Sequence, residues 1–278
     1  MVDATDIVDA QGDAATLGSG LTPLYLTYRH YPVDDPKVAG AYGEWKDYNA
    51  YSDFISSEGV PVFYARVDHV SVPLAQEGTG QVVVDFTPEP LTQDVSFVFH
   101  IEKTADVVVD SLTAEISGIP STMELTTGLI LAQKTYKLLF RPTYAALPSA
   151  ADSASAEALR CEASVNIPGI VRSHTEDMVT GPGILQIAIY THYDYEEEGT
   201  QRKAAKVFHA GINLYHTLKE RKSLQWDEEE NGYRQASRSI TVEIGSPLNI
   251  DKDGILNGGS TSTGLDQWIP GETFEIEV

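Results

Sequence analysis

The sequence predicts an all-β protein made of two tandem antiparallel β-sandwiches. Apolar residues recur at every second position in about ten short segments, a period that is typical of strands with one buried face. Pro, Gly, Asn and Asp turn signals separate these segments, as they do in antiparallel sandwiches. Strands do not alternate with helices, so a doubly wound fold is not expected.

Each alternating segment predicts which side chains share an apolar face. Two further segments near the start, PLYLTYRH and VFYARVDHVSV, are also expected to be strands. The predicted apolar faces are Val82, Val84 and Phe86; Val95, Phe97, Phe99 and Ile101; Tyr136, Leu138 and Phe140; Leu185, Ile187 and Ile189; Phe208, Ala210, Ile212, Leu214 and Leu218; Ile240, Val242 and Ile244; and Phe274, Ile276 and Val278.

The stretch DSLTAEISGIPSTMELTTG carries no obvious chemistry but has a distinct pattern. It begins as a strand with Leu112, Ala114 and Ile116 on its apolar face. Gly118 and Pro120 then predict that the strand breaks into a loop of small polar residues. No nucleophile, metal ligand or phosphate-binding loop is visible in it.

Few segments favour helices. The best candidate is Gly43–Ser56, in which Trp45, Tyr48 and Ile55 fall roughly on one side. The segment TLKERKSLQWDEEENG could hold a helical turn or two. Within it, QWDEEENGYRQ combines charges with an Asn-Gly dipeptide, which predicts the solvated end of a hairpin.

A change of composition predicts the domain boundary. After the strand ending at Phe140, residues 142–161 are rich in Ala, Ser and Pro, which is typical of a linker or a long exposed connection. We therefore predict one sandwich in residues 21–141 and a second in 162–278. Residues 1–20 are polar and are expected to form a flexible tail.

The composition excludes some classes of partner. The formal charge is −22, from 19 Lys and Arg and 41 Asp and Glu, so the surface repels nucleic-acid phosphates and anionic lipids. No apolar run is long enough to span a membrane, and no secretory leader is visible. Residue patterns alone leave open a cytoplasmic protein or an exported one whose leader has been removed.

The single cysteine and the histidines are the candidate catalytic or metal-binding groups. Cys161 can form no internal disulfide, and it is expected to be a buried, inert thiol. His192, Asp194 and Glu196 would share one side of a strand. The alternative, which we favour, is a strand that runs into an acidic turn. No catalytic motif supports an enzyme.

Other candidate groups also have simpler interpretations. His209 and Asn213 are expected on a solvated strand face, and His174, Glu176 and Asp177 in a loop. The segment Asn249–Gly259 superficially resembles a calcium loop, but its glycine falls at the wrong position for an EF-hand. No motif predicts a metal or a cofactor.

The aromatic residues leave one binding function open. Trp45, Trp226, Trp268 and fourteen tyrosines could stack on sugars. They are scattered along the sequence, so packing in the core or at its edge is favoured over a sugar platform.

Several phrases of the sequence resemble the fimbrillin-like proteins of Bacteroides and related bacteria, and in particular the group associated with pilus anchor subunits. The phrases are HYPVDDPK, YSDFISSEGVPVFYARVDHVSV, PLTQDVSFVFHIEK, DSLTAEISGIPSTMELTTG and YKLLFRP. The resemblance runs over most of the chain and is strongest from His30 to Pro142.

The resemblance implies transthyretin-like or immunoglobulin-like sandwiches, export, a lipid anchor and a place in surface fimbriae at the outer membrane. In such a protein, other fimbrial subunits would associate by strand addition. The lipid-bearing cysteine should precede the fold, whereas Cys161 is internal. Either the sequence starts after that cysteine or lipid attachment does not apply.

Three functions follow in order of preference. The first is a non-enzymatic structural pilus subunit of anchor or accessory type, and the second is a surface glycan-binding sandwich. The third is a hydrolase that uses the His192 or His174 cluster. For the pilus subunit, the alternating segment containing Phe274, Ile276 and Val278 is expected to pair as a strand within its own domain.

Overall fold

The fold was derived from a computed structural model. It describes residues 5–8, 25–28, 30–31, 54–55, 61–65, 83–125, 127–147, 156–169, 183–214, 217–218, 224–227, 232–235, 238–256 and 268–276.

Apart from helical residues 217–218, where Leu218 was expected on a strand face, strands make up the regular structure of these residues. In chain order they are β1 (Thr5–Val8), β2 (Tyr25–Tyr28), β3 (His30–Tyr31), β4 (Phe54–Ile55), β5 (Phe63–Tyr64), β6 (Glu89–Pro90), β7 (Gln93–Thr104), β8 (Val107–Glu124), β9 (Ile130–Phe140), β10 (Thr143–Ala146), β11 (Ala156–Ile167), β12 (Ile184–Glu197), β13 (Thr200–Asn213), β14 (Leu224–Asp227), β15 (Gly232–Gln235), β16 (Ser239–Glu243), β17 (Leu248–Ile250) and β18 (Ile269–Ile276).

Two sheets contain nearly all of these strands. The larger sheet has 11 strands in the order β14-β15-β9-β8-β12-β13-β18, with β2 and then β1 added beside β8, and β4 and then β3 added beside β9. The smaller sheet has five strands in the order β10-β11-β7-β16, with β17 also paired to β7. Strands β5 and β6 form a separate pair.

The two sheets pack face to face around one hydrophobic core. Val95, Phe97, Phe99 and Ile101 of β7 are all 0% exposed, and the ring of Phe97 stacks on that of Phe140 at 5.5 Å. Buried residues of both sheets belong to the same cluster. The prediction of an all-β, sandwich-type fold is confirmed.

Strand pairing crosses the boundary that was predicted at residues 142–161. From one side of it, β7 and β8 pair with β11 and β12 from the other side. Residues 143–146 and 156–161, which were expected in a linker, instead lie in β10 and β11. The composition there is compatible with an edge strand whose side chains are exposed, so it does not by itself mark a linker.

Strand β8 continues through the residues that were predicted to form a loop. Gly118 has a φ of 83°, a left-handed conformation that favours glycine. The register between β8 and β9 shifts between Ile116 and Ile119 and again between Pro120 and Thr122. Gly118 and Pro120 therefore mark irregular pairing within a long strand, as β-bulges do, rather than its end.

The outer face of the larger sheet is buried at its centre. Thr113, Glu115 and Ser117 of β8 are 2–4% exposed, although alternation placed Thr113 and Glu115 opposite the core. Glu115 pairs with Lys137 of β9, with Nζ 3.2 Å from Oε1. Phe54, opposite Lys137 in β4 and 1% exposed, lies on the same face. Both faces of the larger sheet are therefore covered here.

Some strand and helix predictions need correction. Residues 83–87 form no strand, and Phe86 is 58% exposed, because alternation alone does not supply a sheet to pair with. Phe54 and Ile55, expected at the end of a helix, pair with β9, and this pairing overrides local helical preference. The rest of that helix prediction lies outside the described residues.

Two predictions near the ends of strands can be compared directly with the structure. The predicted hairpin around the Asn-Gly dipeptide is confirmed, since β14 and β15 pair antiparallel with Asp227 opposite Gly232. Thr5–Val8 of the expected flexible tail pairs with β2. The remainder of residues 1–20 lies outside the described residues.

The described residues contain no helix with the length and apolar character that a membrane span requires.

Replacing Phe97 by alanine tests the shared core. Because Phe97 is fully buried and stacked on Phe140, the Phe97→Ala variant should lose about 3–5 kcal/mol of unfolding free energy. Val108, which is 45% exposed, is the control, and Val108→Ala should cost less than about 0.5 kcal/mol. Urea denaturation measures both. Similar losses in the two variants would contradict the packing described above.

Candidate functional site

The strand β16 is an edge of the smaller sheet with one buried face. Its residues alternate, with Ile240 and Val242 buried and Ser239, Thr241 and Glu243 exposed. It runs parallel to β7, with Ser239 opposite Asp94. The alternating pattern predicted this strand, and its apolar face is confirmed.

The backbone groups of β16 are used on one side only. The amide of Asp94 donates to the carbonyl of Arg238, and the amide of Ile244 donates to the carbonyl of Val98. In a parallel ladder this register directs the even-numbered residues of β16 toward β7 and turns the N–H and C=O groups of Ser239, Thr241 and Glu243 away from it. Among the described residues, no strand lies on that outer side.

The neighbouring strand β17 has its outer side partly occupied. The amide of Leu256 donates to the carbonyl of Asn249 at 2.8 Å, and Ile250 and Ile255 form an antiparallel bridge. The described open stretch therefore extends along β16 and not along β17. An open edge can accept a further strand from another chain.

Polar residues form two rows across the outer face of the smaller sheet and end at this edge. In the first row, Asn166, Asp94 and Ser239 lie opposite one another on β11, β7 and β16. The amide Nδ2 of Asn166 donates to Oδ1 of Asp94 at 2.7 Å. Thr241 ends the second row.

The second row consists of hydroxyl groups. Ser164, Ser96 and Thr241 lie opposite one another, with the two serine Oγ atoms 3.4 Å apart. Small side chains at the edge leave the first row reachable from outside β16.

The carboxylates of this face differ in their partners. Glu162 on β11 pairs with Arg160, with Nε 2.6 Å from Oε1. Asp94 and Glu243, which are both exposed, have no ion pair with any described residue. The part of the face next to the open edge is therefore acidic.

Two polar contacts join the sheets at the ends of the sandwich. The hydroxyl of Tyr144 on β10 donates to the carbonyls of Val109 and Asp110 at 2.8 and 3.2 Å. The Nζ atom of Lys206 on β13 donates to the carbonyl of Lys252 at 2.9 Å and lies 5.5 Å from the ring centroid of Tyr193. These contacts hold the smaller sheet in place on the larger one.

The residues predicted as a possible ligand set do not come together. His192 bonds through Nδ1 to both carboxylate oxygens of Asp110, at 2.8 and 2.9 Å, while Asp194 and Glu196 lie farther along β12 and are exposed. In the described part of the chain, no three His, Cys, Asp or Glu side chains form a metal-binding group. His174, Glu176 and Asp177 lie outside the described residues.

Two other predicted groups are buried. Cys161 is 0% exposed, and burial raises the pKa of its thiol to about 12, which keeps it protonated and unreactive. His209 was expected on a solvated face but is 2% exposed, and burial lowers the pKa of its imidazole to about 4. The prediction was wrong because this outer face of the larger sheet is covered. Asn213 is exposed as expected.

The turn that resembled a calcium loop is closed by its own hydrogen bonds. Oδ1 of Asp251 accepts from the amides of Asp253 and Gly254 at 2.7 and 2.8 Å. This pattern is that of an Asx turn, which supports the alternative of a turn between strands.

The described aromatic residues include both exposed and buried side chains. Phe63, Phe86, Tyr144 and Tyr195 are exposed but belong to different segments. Trp268 is buried, and its Nε1 donates to the carbonyl of Ser246.

The C-terminal alternating segment lies in β18. Phe274 is opposite Val207 and Ile276 is opposite Ala205 in β13 of the same chain. Val278 lies outside the described residues.

The sequence predicted the strand β16 but not its position at an edge. Asp94, Ser239, Thr241 and Glu243 were not identified as functional candidates. The only local signal was the alternation of polar and apolar residues, which does not reveal what lies beside a strand.

Comparison with known proteins gives little similarity. No family model matches the sequence, and no curated protein matches it significantly. Among solved structures, the chain is similar to a candidate adhesin from Bacteroides ovatus, with a TM-score of 0.34 and 10% identity over 83% of this chain and 75% of that one. A likeness of this degree does not establish a shared fold or function.

The buried ion pair can be tested by a double-mutant cycle. Lys137→Met should cost about 3–5 kcal/mol of unfolding free energy because it removes the cation that lies 3.2 Å from the buried Glu115 carboxylate. Adding Glu115→Leu should restore much of that loss, since no buried charge remains. Urea denaturation of both single variants and the double variant measures the coupling, and additive losses would contradict it.

Burial of His209 predicts a dependence of stability on pH. The folded-state pKa of about 4 lies below the ordinary value of 6.5, so the unfolded chain binds more protons between these pH values. Above pH 6.5, His209 is neutral in both states and does not lower the free energy of unfolding. As the pH falls from 6.5 to 4, His209 becomes protonated in the unfolded chain, and this lowers the free energy of unfolding by on the order of 3 kcal/mol.

Thermal unfolding of the wild type and of His209→Gln between pH 7.5 and pH 4 tests this dependence. The wild type should lose more stability than the variant over this range. Parallel curves would show that His209 is not responsible. The comparison removes the contribution of the carboxylates, which both proteins share.

Proposed function

We propose that this chain is a non-enzymatic structural protein of the cell surface, a pilus subunit of anchor or accessory type at the outer membrane. In this proposal it associates with other subunits by accepting an extended strand at β16. The observation that carries the proposal is the open edge at Ser239, Thr241 and Glu243. The resemblance of its sequence phrases to fimbrillin-like proteins supports the choice of partner class.

The edge is suited to strand addition by its geometry. Three residues turn their N–H and C=O groups outward, and each hydrogen bond made there is worth about 0.5–1.5 kcal/mol net. Association also costs several kcal/mol in lost freedom. Backbone bonds alone would therefore give weak binding, and the added strand must also bury apolar side chains beside Ile240 and Val242.

Among the described residues, two of the groups that could perform catalysis are buried. The Cys161 thiol is buried and protonated, and His209 is buried. His192 is hydrogen-bonded to the Asp110 carboxylate. These features support a structural role over the hydrolase alternative. The described aromatic residues give no specific support to glycan binding.

Proline substitution in β16 tests strand addition without breaking the sheet. The amide of Thr241 points away from β7, so Thr241→Pro removes only an outward donor and should leave the fold intact. We expect the variant to lose binding to a nine-residue acetylated and amidated peptide in which Val alternates with Thr. The measurement is protection of the β16 amides from hydrogen exchange on addition of the peptide.

Thr241→Val is the matched control because it keeps the backbone amide and the strand preference. It should bind the peptide like the wild type, and circular dichroism should show both variants folded. Equal protection in the proline and valine variants would contradict strand addition at this edge.

A further inference from the structure

We propose that the strand accepted at β16 comes from a different protein and carries basic residues opposite Ser239 and Glu243, with apolar residues at the intervening positions. This inference rests on the proposed function and specifies the partner. The added segment would alternate basic, apolar, small polar, apolar and basic residues along the five positions of β16. The pattern reads the same in both directions, so it holds for a parallel or an antiparallel partner.

The first basic position follows from the row that contains Asp94. A residue of the added strand that lies opposite Ser239 would be on the same outer face as Ser239 and Asp94. The distance from the partner backbone to the Asp94 backbone is two strand spacings, about 10 Å. A long basic side chain can cross the small Ser239 side chain and reach the carboxylate.

The Asp94 carboxylate, which Asn166 orients through a hydrogen bond, favours arginine at this position. Asn166 is 9% exposed, and its Nδ2 must face Asp94, because a carboxylate only accepts hydrogen bonds. Its Oδ1 is thereby fixed as a buried acceptor, and it has no hydrogen-bond partner among the described residues. A guanidinium has several donors in one plane and can bind the exposed Asp94 carboxylate through two of them.

The second basic position follows from Glu243. This carboxylate is exposed at the edge itself and has no ion pair with a described residue. A residue directly opposite Glu243 on an added strand would lie within about 5 Å at the Cβ atoms. An opposite charge at this distance stabilises the pair, and a like charge destabilises it.

The intervening positions follow from the inner face of β16. Ile240 and Val242 are buried in the core, and residues opposite them would extend the same face. A polar side chain there would be removed from water without a partner. The position opposite Thr241 joins the row of hydroxyls, so a small polar residue fits it.

The overall charge indicates that the partner is not a second copy of this chain. The formal charge is −22, so two copies repel each other at long range. A segment with alternating basic residues from another protein is attracted to the acidic edge instead. The acidic edge therefore favours a positively charged partner, in addition to forming hydrogen bonds with the partner's backbone.

The test uses three nine-residue peptides that differ only at two positions. Each is acetylated and amidated and reads Thr-Val-X-Val-Thr-Val-X-Val-Thr, where X is Arg, Gln or Glu. Isothermal titration calorimetry with the full chain should show the Arg peptide binding about five- to thirty-fold tighter than the Gln peptide at low salt, and the Glu peptide binding weakest. The preference should shrink in 0.5 M salt, because screening weakens exposed charge pairs.

Charge reversal at the edge supplies the second arm. Glu243→Lys should weaken binding of the Arg peptide and strengthen binding of the Glu peptide. Glu102→Lys is the matched control, since Glu102 is exposed on the same face of β7 but lies opposite Asn249 and not opposite β16. It makes the same change in net charge and should leave the peptide preference close to that of the wild type.

The outcomes separate this inference from the proposed function. If all three peptides bind equally and protect the β16 amides, the result supports strand addition at β16 and contradicts the proposed pattern of basic residues. If none of the peptides binds, the edge accepts no strand, and both strand addition and the basic pattern of the partner are wrong. If both lysine variants shift the preference equally, overall charge and not the register at Glu243 decides it, and the inference is overturned.

Discussion

The burial of one strand, β7, is the constraint on which the rest of this structure depends. Its inner side chains fill the space between the sheets, and Phe97 meets Phe140 of the larger sheet there. Its two backbone edges are paired with β11 on one side and with β16 and β17 on the other. All of these neighbours come later in the chain. The smaller sheet therefore needs residues from both halves of the sequence, which explains why the halves share one core.

The two outer faces of the sandwich differ, and this difference separates structural from exposed polar groups. On the larger sheet, the ion pair between Glu115 and Lys137 and the ring of His209 are buried. On the smaller sheet, Asp94 and Glu243 face solvent beside an open edge. Similar alternating sequences thus give a covered polar layer in one place and an accessible acidic surface in the other. Only the second can take part in recognition without disturbing the fold.

The sequence predicted side-chain direction well and long-range arrangement poorly. The inward faces of β7, β12 and β16 follow from alternation, because each strand has an apolar face toward the core. Burial of Glu115 and His209 did not follow, since alternation shows which residues share a face and not whether that face is covered. Gly118 suits a turn or an irregular strand, so local sequence could not decide between them. The edge position of β16 depends on what lies beside it, which no local pattern records.

The parallel pairing of β16 with β7 also has a consequence for how the chain is made. Strands far apart in sequence pair late, because the long intervening chain must first be closed into a loop. During synthesis β7 leaves the ribosome long before Ser239. The strand β7, which has a strongly apolar face, then has no partner strand at the edge that β16 later occupies. A nascent chain that has not yet reached β16 exposes β7 to pairing with other chains. Pairing of β16 with β7 thus removes an edge at which a partly folded chain could join strands of other chains.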